Sequence, residues 1–181
     1  MAAQARRMLK DQRIRALAVE FGGNWLEFRR FESLSTVDRE RFASFNNGLR
    51  EAMFEEPVRF LQDVFQNNRS ILDCLYANDT FVNPALARHY GIPLESGGTG
   101  RAATGGPAHS ARSASISTFS DEWVHITDAS RYERGGLLPM AVFLTKNAPG
   151  LRTSPVKRGN WVVKNVLGER IPPPPPNVPE L

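Results

Sequence analysis

Arg152-Thr153-Ser154-Pro155-Val156-Lys157-Arg158-Gly159-Asn160-Trp161-Val162-Val163-Lys164-Asn165-Val166-Leu167-Gly168, with the prolines Pro172 to Pro176 behind it, is the stretch from which the chain is best read. Ser154 followed by Pro155 is a helix start: the serine oxygen accepts a free backbone N–H, and proline stands where its missing N–H costs nothing. Gly168 supplies the left-handed residue that ends helices, and the prolines forbid continuation. At 100° per residue Val156, Gly159, Val163, Val166 and Leu167 share one face, which is expected to point inward. Lys157, Arg158, Trp161, Lys164 and Asn165 share the other.

Composition sets the frame. The 181 residues suffice for one ordinary domain or two small lobes, and 41% hydrophobic with 23% charged residues is the balance of a chain with a core. No apolar run approaches the roughly 20 residues that cross a bilayer, so no membrane span is expected. Met1 to Arg15 is basic and amphipathic and lacks the features of a signal peptide. A net charge of +4 permits an anionic partner. The charges are interleaved, however, as in Asp38-Arg39-Glu40-Arg41, and no basic-aromatic pattern points to nucleic acid.

In chain order, Ile14, Leu17, Ala18, Phe21, Trp25 and Phe28 form a helical stripe that Gly22-Gly23 interrupts for close packing or a bend. Ser35 or Asn46 starts the next helix, with Leu49, Met53, Phe60, Leu61, Val64 and Phe65 inward and a bend or break expected at Glu55-Glu56-Pro57. Asn68-Arg69-Ser70 precedes a short helix ending near Tyr76. Asp79-Thr80 is read as the cap of the following segment, which Gly91 closes and Pro93 stops. His89 is expected to be a partly buried residue holding that turn. Residues 94–120 are rich in Gly, Ser, Ala and Thr, the composition of a flexible loop, and His109 within it has no expected role. Trp123 to Thr127 alternates as one short strand or local hairpin. Leu137 to Leu144 is apolar all round and is expected to be the most buried helix. Cys74, the only cysteine, sits in an apolar pattern as a buried structural thiol.

These segments also carry a resemblance. FGGNWLEFRRF (21–31), Leu49 to Phe65, NRSILD (68–73), TFVN (80–83), LARHYGIP (86–93), RGGLL (134–138) and the RTSPVKRG stretch before its prolines resemble, in the same order, the planctomycete-type multidomain cytochrome c family. Its members are large exported chains in which domains of unknown function precede a C-terminal c-type haem module. The chain departs from the family's usual residues at Pro57, Asn68 and Asp79. The resemblance implies an internal piece of a longer protein, with the haem downstream. A single cysteine cannot form the C-x-x-C-H of a c-type haem, so no cofactor is expected in this chain.

The expected architecture is therefore mainly α. It comprises an N-terminal helical domain over 1–93, a flexible loop over 94–120, a C-terminal helical segment over 121–171 and a polyproline tail over 172–181. No motif of acid/base, nucleophile, metal or phosphate chemistry is present. The function this implies is a non-catalytic structural or interaction segment that seats the downstream haem module. The alternative is a lobe of a polysaccharide-related enzyme or a carbohydrate-binding module, which a pocket lined by Trp25, Trp123 or Trp161 with convergent carboxylates would favour. Arg152, Thr153, Ser154, Lys157 and Arg158 gather cations and hydroxyls at a helix start and are the candidate anion-binding corner.

Overall fold

The computed structural model describes residues 2–33, 37–94, 122–148 and 150–172. The loop expected over 94–120 lies outside the described residues from residue 95 onward, as do the tail from residue 173 and the candidate cap Ser35.

The fold is mainly helical, with one two-strand antiparallel sheet. α1 (Ala2–Leu9) leads into a continuous run of α2 (Ile14–Leu17), a π turn (Ala18–Gly22) and α3 (Gly23–Trp25). The wider π turn moves the buried line to Ile14, Ala18, Gly22 and Leu26. Leu17 and Phe21, expected inside, are left exposed. Gly22 is required by contact, because a Cβ there would meet Leu61 Cδ1 at 2.4 Å.

α4 (Asn47–Gln66) is the central element. Asn46 caps it, its side chain accepting from Leu49 N at 2.9 Å. The break expected at Pro57 does not occur: the helix runs through it. An interior proline costs about 3 kcal/mol. Ten residues of α4 are buried, and each large apolar side chain contributes about 1.5–3 kcal/mol, so packing decides.

α5 (Asp73–Tyr76) leads to β1 (Thr80–Val82), and α6 (Pro84–Tyr90) follows. Asp79-Thr80 caps nothing. The cap of α6 is Asn83, whose side chain accepts from Leu86 N, and Gly91 closes the helix at φ 71°. β2 (Val124–Ile126) pairs with β1 across more than forty residues of sequence, not locally, in the register Thr80↔Ile126, Phe81↔His125, Val82↔Val124. A 3₁₀ turn (Ala129–Tyr132) and the Gly135-Gly136 turn follow. At φ 118°, a Cβ on Gly135 would lie 2.5 Å from the Ala77 carbonyl oxygen.

The apolar run forms a helix only from Ala141: α7 is Ala141–Lys146, with Leu137 and Met140 buried in the turn before it and Leu138 exposed. α8 (Pro155–Trp161) starts on the Ser154 cap and continues through a second π turn (Val162–Val166) to Gly168 at φ 70°.

Only part of the face expected for this last helix holds: Val166 packs against the core and Val163 is half-buried, but Trp161 takes the interior and Val156 and Leu167 do not. Trp161 is 5% exposed and Val156 82%, and Leu167 is also exposed. Ser154, Arg158, Trp161, Val162 and Asn165 form the inward line. Trp161 stacks on Phe143 at 4.7 Å and donates its indole N–H to the Leu26 carbonyl at 3.1 Å. Burying a ring of this size outweighs burying a valine. The Asn165 side chain faces inward with its Nδ2 donating to the Trp25 carbonyl, and the Asn165 backbone carbonyl accepts from Trp25 Nε1.

One core joins both ends of the sequence: Leu26, Phe28, Met53, Phe60 and Leu61 pack in the same cluster as Leu137, Val142, Phe143 and Trp161. Trp161→Ala is expected to lower unfolding free energy by about 3–5 kcal/mol, whereas Val156→Ala should stay within about 0.5 kcal/mol. Urea denaturation of the two variants checks the assignment; similar midpoints would show that the inward face is wrong.

Candidate functional site

Two polar constellations, neither foreseen as a whole, are built into this frame. The first is buried. Glu56 lies on the inward stripe of α4 between Met53 and Phe60 and is 1% exposed. Thr80 Oγ1 donates to its Oε1 at 2.7 Å and Tyr90 Oη to its Oε2 at 2.5 Å. The Tyr90 hydroxyl in turn accepts the Ala141 N–H at 2.8 Å. The Arg134 guanidinium lies 4.1 Å above the Tyr90 ring and donates to the Pro139 carbonyl at 2.6 Å.

Burial pushes the Glu56 carboxyl up to about 7, against the two hydrogen bonds and the Arg134 charge, which all act to lower it. Burial also drives the Tyr90 hydroxyl well above its ordinary value, with the neighbouring Glu56 acting in the same direction. Near neutral pH this is a carboxyl group divided between acid and carboxylate, in a site closed on all sides by protein.

The second constellation is half-buried. Arg69, just past the C-terminus of α4, donates from Nε to Asp73 at 2.8 Å, from Nη1 to Asp63 at 2.6 Å, and from Nη1 and Nη2 to Asp79 at 2.8 Å each. Its guanidinium also lies over the Phe60 ring. His125 Nε2 is 2.7 Å from Asp79 Oδ2, and the imidazole stacks on Phe81, its cross-strand neighbour, at 4.5 Å and 8°. Burial acts to raise Asp79, but hydrogen bonds from Arg69 and His125 more than offset it and hold the carboxyl below its usual range. One arginine thus ties the end of α4, α5 and the start of β1, and Asp79 passes the link to β2. The geometry is a structural hub in which one arginine has its donors aimed at three carboxylates.

Asp73 and Asp79 meet on Arg69, and the histidine that joins them is His125, not His89. His89 lies tilted against Tyr90 at 5.6 Å, open to solvent on one side yet buried enough that its pKa is lowered. The sequence signal for Glu56 was an acid on an apolar stripe, and for His125 it was alternation opposite Phe81 in a strand.

The anion-binding corner is placed as follows. Ser154 Oγ accepts from Lys157 N at 3.3 Å, and the Ser154 carbonyl accepts from Arg158 N at 3.1 Å. Arg152, Thr153 and Lys157 are exposed, Arg158 is half-buried, and none of the three cations has an ion-pair partner among the described residues. Cys74 is buried, and that burial pushes its thiol up to about 11. A lone, buried, protonated thiol does not fit the two thioether links of a c-type haem. No group of metal-binding side chains and no helix long and apolar enough to cross a membrane occurs among the described residues.

The fold is thus a mainly α structure whose two halves share core and polar network. Residues 1–92 match the family model PSD4, protein of unknown function (DUF1592), and residues 134–181 match PSCyt3, protein of unknown function (DUF1588). The chain belongs to the PSD4 family, and both matches agree with the resemblance to planctomycete cytochrome-related proteins. No curated protein and no solved structure matches it.

Glu56 makes stability depend on pH with a definite sign. Its carboxyl is raised in the folded state from an ordinary 4.5 to about 7, so folding takes up a proton between those values. The stabilisation is complete below pH 4.5, falls as pH rises toward 7, and is level beyond. At about 1.4 kcal/mol per unit it amounts to roughly 3 kcal/mol. Denaturant titrations across this range should show that loss in the wild type and much less of it in Glu56→Gln.

Proposed function

We propose that the chain is a non-catalytic structural and interaction segment that seats a neighbouring c-type haem module. The observation that carries this reading is the distribution of apolar surface. Leu138, Leu151, Val156, Leu167 and Ile171, all large and exposed, fall within the PSCyt3 match that ends in the proline run. A shallow groove of about 330 Å³ between α7 and α8, lined by Leu138, Leu144, Pro155, Gly159 and Val162, lies in the same segment. Exposed large apolar side chains together with an apolar groove are the features of a docking face. A proline-run sequence of this kind favours a stiff, low-entropy spacer, which would hold an attached module near it.

The polar constellations support a structural rather than a reactive role: Arg69 is engaged by three aspartates, and Glu56 is sealed between Thr80 and Tyr90. The haem would belong to the neighbouring module, since Cys74 offers one buried sulfur. The exposed cations of the Arg152–Arg158 corner flank the same surface, and a haem propionate is an anion they suit.

Isothermal titration of the chain with a purified, haem-loaded c-type module from a planctomycete-type cytochrome tests the reading. Wild type should bind, and Val156→Asp/Leu167→Asp should weaken binding at least about tenfold, a loss of about 1.4 kcal/mol, with unchanged melting temperature. Absence of binding, or equal binding by both proteins, would overturn the docking role.

A further inference from the structure

A cleft of about 950 Å³ runs along the outer side of α4. Its long wall is the ridge Glu51, Glu55, Arg59 and Gln62, spaced by four, four and three residues so that all lie on one helical face. At 1.5 Å per residue the ridge runs about 16 Å, the length of an extended ligand rather than a small ion. Trp123, immediately before β2, closes one side, and the Arg59 guanidinium is stacked over its ring at 4.6 Å.

The centre of the ridge is fixed before any ligand arrives. Arg15 Nη1 and Nη2 grip the two oxygens of Glu55 at 2.5 and 2.7 Å, and Arg59 Nε approaches Glu55 Oε1 at 3.1 Å. Glu51 and Gln62, one turn to either side, have no hydrogen-bond or ion-pair partner among the described residues. The Nδ2 groups of Asn46 and Asn83 are likewise unengaged there, because only their Oδ1 atoms serve as helix caps.

Charge selects the ligand class. The lining holds Arg15, Arg59 and Arg88 against Glu32, Glu51 and Glu55, three cations against three anions. Such a cleft exerts little net pull on an ion. It offers carboxylate acceptors, guanidinium and amide donors, and the flat stack of Arg59 on Trp123 at one side. Hydroxyl groups, which both donate and accept, match the first two, and the C–H face of a sugar ring matches the third.

We infer that this cleft binds a neutral oligosaccharide, with Trp123 and its stacked Arg59 as the platform and Glu51 and Gln62 as the hydroxyl-binding groups. The inference does not depend on the docking role, and its site shares no residue with that surface.

The test is titration calorimetry of the whole chain with cellohexaose, xylohexaose, mannohexaose and chitohexaose, with polygalacturonate as the anionic comparison. At least one neutral hexasaccharide should bind with Kd of about 1 mM or tighter. Affinity should be nearly unchanged between about 0.05 and 0.5 M salt, because no net charge is neutralised. Trp123→Ala should weaken binding at least about tenfold and Trp123→Phe much less, while Glu51→Ala/Gln62→Ala, exposed or half-exposed and distant from the core, should also lose affinity. No binding of any neutral sugar at about 10 mM, affinity unaffected in both the tryptophan and the double variant, or salt-sensitive binding of polygalacturonate alone would each overturn it.

Discussion

A carboxyl group in the middle of an apolar helix face is the constraint to which the rest of the fold answers. Left ionised and unpaired, Glu56 would cost several kcal/mol. Here its proton affinity rises, and hydroxyls from β1 and α6 reach both oxygens. The consequence extends further. α7 is six residues long and has no side-chain cap of its own. The Tyr90 hydroxyl, oriented by Glu56, accepts the first N–H of α7 in place of a cap. An acid in the PSD4 match thereby fixes the start of a helix in the PSCyt3 match.

The converse holds at the end of α3. Its last carbonyls have no helical donors, and side chains from the C-terminal half supply them: Asn165 Nδ2 to Trp25, Trp161 Nε1 to Leu26 and Lys146 Nζ to Glu27. Lys146 lies over the Trp161 ring, and burial lowers its pKa even though Glu27 opposes that shift. Each half closes the other's helix ends. Helices as short as α3 and α7 are below the length at which helices persist alone, and this mutual capping supplies what they lack.

What was legible in the sequence was local. Asn46, Ser154, Gly91 and Gly168 act as caps or stops because a cap is settled within four residues. What was not legible depended on distant partners. Two π turns shift the buried faces of the first and last helical runs, and no periodicity of 3.6 anticipates them. Pro57 reads as a breaker until the burial around it is known. Asp79 reads as a cap because Arg69 and His125, its real partners, are ten and forty-six residues away. The strand at Val124–Ile126 was visible by alternation, but its partner was not. Of the candidate site residues, Ser154 was legible as a cap, whereas the role of Glu56 required knowing that Thr80 and Tyr90 would face it.

The last helix brings these threads together. A sequence that turned its valines and leucine inward would leave nothing to explain. Instead Trp161 and Asn165 take the interior, because their polar atoms find carbonyl and indole partners at the end of α3, and that choice rotates Val156 and Leu167 into solvent. The same hydrogen bonds that lock the two halves together therefore leave Val156 and Leu167 exposed.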